Sequence, residues 1–258
     1  MYLQANYHTH TVRCHHASGT EREYIEKAIS CGMKTLGFSD HSPYLFDGDY
    51  YSGFRVRLSD VDDYFDTLTA LKKEYAGTID IHIGFEAEYY PKLFGRLIGF
   101  LKDYPVEYLI MGQHFLGNET DAPYCPRPTE DEKLLEAFVN QTTEGMETGK
   151  FTYFAHPDVL NWVGDEKTYR KHITPLCENA KRLGVPLEFN FLGFVEHRHY
   201  PRELFFRIAG EVGNDVIFGC DAHSPDAIYR QQLYEDAVVW LDRFGIVPIP
   251  SVTLRSPV

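Results

Sequence analysis

No two of the five cysteines in this 258-residue chain are spaced as C-x-x-C. Cys14, Cys31, Cys125, Cys177 and Cys220 are scattered and odd in number, which argues against a disulfide framework and against a cysteine zinc site. A reducing, cytoplasmic compartment fits that usage. No apolar run is long enough to span a bilayer. The start, Met1 followed by Tyr2-Leu3-Gln4-Ala5-Asn6-Tyr7, has neither a basic region nor an apolar signal core. Neither a membrane nor an export signal is therefore expected. There is no repeat of the solenoid kind, no low-complexity tract and no stretch that reads as a linker, so one domain over residues 1–258 is expected. Basic residues are in deficit, with 25 Lys and Arg against 38 Asp and Glu, a formal net charge of −13. Such a surface repels phosphate backbones and disfavours nucleic acid as a partner, although a local cationic or metal-filled pocket can override it.

What the chain does have is alternation. Seven short, β-rich runs are expected at Leu3–His8, Thr35–Ser39, Ile79–Phe85, Glu107–Gly112, Phe151–Ala155, Pro186–Phe189 and Val216–Cys220. Between them lie helical patterns. Thr20-Glu21-Arg22-Glu23 has the form of a capping box for a helix that stops at Gly32, and Thr129-Glu130-Asp131-Glu132 has the same form. Ser59 is placed to cap a helix through Leu71, and Pro91–Lys102 and Pro201–Val212 are also helical in pattern. A helix over Glu166–Leu183 is expected to break or kink near Pro175. Ser224-Pro225 gives an N-cap followed by Pro at the first helical position, opening a last helix to Phe244. Ile246–Val252 can add a terminal strand. Repeated βα units make either an open doubly wound sheet or a closed barrel.

Twelve histidines is a high count for this length, and their positions decide between the two architectures. His8, His10, His41, Glu86, His114, His156, Asp221 and His223 all fall at or just past the C-terminal end of an expected strand, and His16 lies in the loop after the first. A parallel barrel gathers those ends over one opening, whereas the outer strands of an open sheet stand too far apart to share a site. Imidazole and carboxylate are ligands for Zn, Fe or Mn. In His8-Thr9-His10 and Asp221-Ala222-His223, alternate residues of an extended chain point the same way. Any one of these histidines alone is an ordinary residue. Nine ligand-type residues at one end of successive βα units are too many for one ion and suit two or three divalent ions sharing carboxylates.

These motifs resemble the PHP (polymerase and histidinol phosphatase) family. The resemblance rests on His8-Thr9-His10-Thr11 with His16-Ala17, Phe38-Ser39-Asp40-His41, Gly84-Phe85-Glu86-Ala87, Gln113-His114, Ala155-His156-Pro157 and Cys220-Asp221-Ala222-His223. It spans nearly the whole chain and implies an α/β fold, a distorted (β/α)7 TIM-like barrel with a trinuclear metal centre at the C-terminal face of its strands. It further implies that His8, His10, Glu86 and Asp221 hold one ion, that Glu86 bridges to a second held by His114 and His156, and that His16, His41 and His223 hold a third. Spacing favours His16 over His15. A chain of this size with no appended polymerase domain is similar to members that hydrolyse L-histidinol phosphate, a small phosphate monoester, to L-histidinol and phosphate in histidine biosynthesis.

With two carboxylates among nine ligands, such a centre carries excess positive charge. It would attract a phosphate dianion and acidify a bridging water for in-line attack. The segment Gly193–Pro201 follows the sixth strand onto the same face. There Arg198 is a candidate phosphate ligand, and His197 or His199 a candidate proton donor to the leaving alkoxide. Asp40 is a further catalytic candidate. Arg13 and Asn190 are further substrate-binding candidates, with Arg127 and Arg202 as alternative phosphate ligands. Glu88 faces either the substrate's cationic groups or a metal-bound His. The Tyr and Phe residues from Pro43 to Phe54 either wall the substrate's imidazole or pack ordinarily. The alternatives are a PHP-type phosphodiesterase or exonuclease on nucleotides or DNA ends, and a non-catalytic metal-binding regulatory module. The acidic charge and the lack of a basic, aromatic-interleaved groove count against the first, and the intact ligand set against the second.

Overall fold

The computed structural model describes residues 3–120 and 122–258. Seven strands form one sheet in sequence order, every neighbouring pair parallel: β1 (Ala5–Asn6), β2 (Thr35–His41), β3 (Asp80–Ala87), β4 (Tyr108–Met111), β5 (Tyr153–Phe154), β6 (Leu187–Asn190) and β7 (Val216–Gly219). The helices are α1 (Glu21–Ser30), α2 (Val61–Glu74), α3 (Phe94–Leu101), α4 (Glu132–Glu147), α5 (Glu166–Arg182), α6 (Phe191–Val195), α7 (Glu203–Val212) and α8 (Gln231–Asp242). From Leu36 onward every residue of β2 is buried, as expected of a parallel strand covered on both faces.

The sheet curls until its ends meet. Thr9 and Ala222 form a parallel bridge just past β1 and β7, in which the His10 N–H donates to Ala222 O at 2.9 Å and the Ala222 N–H to His8 O at 3.2 Å. The Cys220 N–H donates to Asn6 Oδ1 at 2.8 Å. The result is a nearly closed (β/α)7 barrel whose seam is tightest where the expected ligands lie. Toward the opposite end, the Ile249 N–H donates to Val216 O.

Apolar residues divide accordingly. A large cluster lies between strands and helices, and a smaller one gathers Ala5, Tyr7, Tyr108, Ile110, Tyr153, Ala155 and Ile217. The Tyr108 hydroxyl reaches Tyr7 O at 2.7 Å and Phe38 O at 3.0 Å, from β4 to the β1 and β2 segments, so this cluster fills the barrel interior. Gly37 and Gly84 make room for it: a Cβ at Gly37 would lie 2.3 Å from the Tyr108 hydroxyl oxygen. The segment expected as a terminal strand is not one. Ile249, Val252 and Leu254 instead pack as an extended tail against this interior cluster.

Other boundaries also move for local reasons. The Thr20 capping box forms as expected, but Thr129 is held extended by a bridge to Trp162, so Asp131 caps α4 by accepting from the Lys133 N–H. Ser59 donates its hydroxyl to Asp60 and caps nothing. Ser224-Pro225 opens only a 3₁₀ turn, Pro225–Ala227, and the last helix begins at Gln231. α5 runs through Pro175 without interruption. No helix among the described residues is long and apolar enough to cross a membrane.

Replacing Tyr108 by Phe would leave two interior carbonyls without their donor. It is expected to lower the unfolding free energy by about 1–3 kcal/mol in urea denaturation; an unchanged midpoint would show that the hydroxyl does not tie the strands together.

Candidate metal centre

The centre is built around one carboxylate. Glu86, near the end of β3, is 1% exposed, and its two oxygens face different partners. Oε2 lies 3.5 Å from His8 Nε2, 3.5 Å from His10 Nε2 and 3.1 Å from His41 Nδ1. Oε1 lies 2.8 Å from His156 Nε2 and 3.6 Å from His114 Nε2. Asp221 Oδ1 adds itself to the first side, 3.5 Å from His8 Nε2, 3.2 Å from His10 Nε2 and 3.5 Å from His223 Nδ1. His223 Nε2 and His16 Nε2 meet at 2.9 Å. All nine residues expected as ligands are thus brought into one contiguous cluster by six different βα junctions. His15, by contrast, turns to the Tyr51 hydroxyl.

Close packing permits this geometry only at particular backbone positions. A Cβ on Gly112 would sit 1.7 Å from Glu86 Oε1, so only glycine leaves room for that carboxylate. His156 (φ 30°) and Asp221 (φ 50°) adopt the left-handed region, which non-glycine residues rarely occupy. Each is held there by a bond. The His156 N–H donates to Glu188 Oε2 at 2.9 Å, and Asp221 Oδ2 accepts from Asn190 Nδ2 at 3.1 Å.

The donor set fits divalent cations. Among the described residues, His8 Nε2, both ring nitrogens of His10 and His41 Nδ1 are buried without a hydrogen-bond partner, a costly state that a bound cation relieves. Three ligand-type side chains approach one another in several combinations, among them His8–His10–Asp221, His8–Glu86–His156 and His16–His41–His223. The electrostatics point the same way. Burial pushes Glu86 up, but His41, His114 and His8 pull it well below the usual carboxylate range; burial likewise opposes, and His8 and His10 outweigh it, at Asp221. Against burial, Glu188, Asp221 and Glu86 raise His8 to about 10. Burial lowers His223 to about 4 and holds His41 well below its ordinary value.

Several candidate substrate-binding side chains are engaged elsewhere, and three of them, Glu88, Asp40 and Asn190, support the centre. Glu88 is fully buried, its Oε1 bonded to His114 Nδ1 at 3.0 Å and its Oε2 paired with Arg55 at 2.8 Å, so it does not face a substrate. Asp40 is fully buried, accepts from the Thr11 N–H and hydroxyl, and lies 3.4 Å from His10 Nδ1. Asn190 spends its amide on Glu188, Asp221 and the Gly193 N–H. Arg13 pairs with Glu21 and Asp63, and Arg202 stacks over Tyr169 and donates to Trp162 O. His197 is exposed and does not line the cavity. Apart from His197, each of these side chains is taken by a nearer partner.

Glu188 was missed. It is fully buried on β6 and accepts from His8 Nδ1 at 2.8 Å. The signal was there: a carboxylate inside the apolar run Val185–Phe189 needs a partner. Arg55, 1% exposed, gave no such signal.

The centre opens into a cavity of about 950 Å³. Arg198, His199 and Tyr200 line it, as do Phe54, Phe115 and Tyr124. Arg198 is steadied by Glu196 at 2.8 Å and the Tyr200 hydroxyl at 2.8 Å. His199 Nε2 donates to Val159 O at 2.7 Å, and burial lowers its pKa, so the ring is neutral with Nδ1 unprotonated. Arg127 also lines the cavity.

A family model described as the PHP domain matches residues 6–191 of the chain. A protein of Deinococcus radiodurans named a probable histidinol-phosphatase is 29% identical over 233 residues, 86% of each chain. The histidinol-phosphatase of Bacillus subtilis is 30% identical over 123 residues, 45% of each. Among solved structures, the histidinol phosphate phosphatase of Lactococcus lactis, in complex with zinc, L-histidinol and phosphate, matches with a TM-score of 0.74. It is 16% identical and covers 97% of this chain and 99% of its own, a likeness of fold. A structure described as the putative histidinol phosphatase of Listeria monocytogenes matches at 0.72 and 21% identity, over 88% and 97%.

Metal ligation needs neutral imidazole, whereas His8 at about 10 is protonated at neutral pH in the metal-free chain. Adding Zn²⁺ to that chain in weak buffer at pH 7.5 is expected to release protons, and affinity is expected to rise with pH from 6 to 8. Binding with no proton release would show that His8 is not held protonated by Glu188, Asp221 and Glu86.

Proposed function

The chain belongs to the PHP domain family, and from that premise we propose that it is a metal-dependent phosphomonoesterase that hydrolyses L-histidinol phosphate to L-histidinol and phosphate. The observation that carries this reading is Glu86, whose two oxygens face two separate imidazole sets beneath an open cavity. His8, His10, Glu86 and Asp221 would hold one ion, His114 and His156 with Glu86 a second, and His16, His41 and His223 a third. When bound, such ions supply Lewis acidity toward phosphoryl oxygens and lower the pKa of water.

The chain's own residues complete the site. Arg198 has five donors, and its bonds to Glu196 and Tyr200 leave others for a phosphate. His199, with Nδ1 unprotonated, enters as a hydrogen-bond acceptor for an N–H of the substrate rather than as the proton donor to its leaving oxygen. Phe54, Phe115 and Tyr124 offer an aromatic wall to a planar imidazole. Phe54 stacks with Phe115 at 6.1 Å, and Tyr124 packs tilted against Phe115 at 4.9 Å. The names of the Deinococcus, Bacillus and Lactococcus relatives support the same substrate.

Phosphate release from histidinol phosphate, after metal analysis of the purified protein, tests the assignment. We expect a clear preference over unrelated monoesters; equal turnover across such a panel would remove the specific substrate. Asp221→Ala is expected to lower kcat/KM by more than about a hundredfold, beyond what loss of an outer-sphere partner costs. Arg198→Ala is expected to act mainly on KM, by roughly ten- to a hundredfold, the worth of a charge-assisted bond.

A further inference from the structure

The two sides of Glu86 are backed by unequal charge. Behind His8 stands Glu188, bonded to its Nδ1 at 2.8 Å, and behind His10 stands Asp40, 3.4 Å from its Nδ1. Both carboxylates are fully buried, and neither pairs with a lysine or arginine among the described residues. Gly219 keeps Glu188 in place, since a Cβ there would lie 1.7 Å from its Oε1. Asp221 adds a third carboxylate to this side.

The other side is arranged differently. His114 is backed by Glu88, but the second oxygen of Glu88 lies 2.8 Å from Arg55 Nη2. Arg55 is itself buried, stacks over Phe54 at 4.6 Å and is shared with Glu119, 2.6 Å from the same nitrogen. The negative charge behind His114 is therefore largely met by a guanidinium before it can act on a cation in front. Behind His156, among the described residues, no carboxylate comes within ion-pair distance of Nδ1, as Asp40 does behind His10, and that nitrogen is buried without a hydrogen-bond partner.

Buried charges at these separations interact strongly because water does not screen them. A carboxylate behind a ligating imidazole fixes the ring and strengthens its hold on a cation. Resting on the metal-centre reading above, we infer that the centre is graded: the His8–His10–Asp221 side binds its cation tightly, and the His114–His156 side binds an exchangeable one, with Glu188 and Arg55 as the positioning residues that set the difference.

Zinc titration of the metal-free full-length chain against a chromophoric chelator reads this directly. The wild type should show affinity classes at least about tenfold apart, the scale of outer-sphere effects on metal sites. His114→Ala should remove the weaker class and keep the stronger. Glu188→Gln, whose remaining amide oxygen can still accept from the His156 N–H, should loosen the stronger class by about 10- to 100-fold while the weaker stays within a few-fold. The pair Arg55→Met with Glu119→Gln removes one charge of each sign and leaves Glu88 unmatched. It should tighten the weaker class, whereas a packing defect would loosen both. Should that double variant not fold, Glu88→Gln should cost less affinity than Glu188→Gln. A single affinity class in the wild type, equal losses in both classes for Glu188→Gln, or a larger loss for Glu88→Gln would overturn the grading. No zinc bound at all would instead overturn the metal-centre reading itself.

Discussion

Burial of the Glu86 carboxylate is the constraint on which the rest of the structure depends. An ionised carboxylate with 1% exposure is tolerated only where positive charge or donors surround it. Here the surroundings come from the ends of other strands: His8 and His10 after β1, His41 on β2, His114 after β4 and His156 after β5. Those residues can meet over one carboxylate only if the sheet is rolled up. The bridge between Thr9 and Ala222 completes the ring by carrying Asp221 and His223 to the same place. Barrel closure and site assembly are therefore one event.

A second layer of carboxylates then decides how each ring is turned. Glu188, Asp40 and Glu88 stand behind His8, His10 and His114, and Asn190 ties Glu188 to Asp221. This layer makes the interior acidic as well as the surface. An acidic protein can still receive a phosphate dianion where cations held by these ligands would face the cavity beside Arg198, while Glu188, Asp40 and Glu88 lie behind the imidazoles. Net charge and local field point in opposite directions, so the surface charge says little about the substrate of such a site.

The cavity is bounded by segments that follow the strands rather than by the strands themselves. The stretch after β6 brings Arg198, His199 and Tyr200 to one wall, and the segments after β2 and β4 bring Phe54 and Phe115 to another. The barrel fixes where the ligand-type side chains sit, and the loops fix what stands next to them, the usual division of labour on this kind of scaffold.

Much of this was legible in the residues alone. The alternation of β-rich and helical runs, the Thr20 capping box and the nine ligand-type side chains at strand ends follow from local chemistry, since strand period and helix capping involve neighbours within a few positions. The convergence argument for closure could also be made, because nine ligands have no purpose apart. What only the tertiary structure decided are the partners of polar side chains whose neighbours lie far along the chain. Glu88 could face a substrate or a histidine, and the approach of Arg55 settled it by taking its second oxygen. Arg13 and Asn190 looked free in sequence and are spent on Glu21, Asp63, Glu188 and Asp221. The tail after Ile246 has the pattern of a strand but makes its apolar contacts against the barrel interior and meets β7 through the Ile249 N–H to Val216 O bond without forming a ladder. Ligand type is a property of the residue, and so the sequence determined it. Which ligand is backed by which charge is a property of distance across the barrel, and only folding sets it.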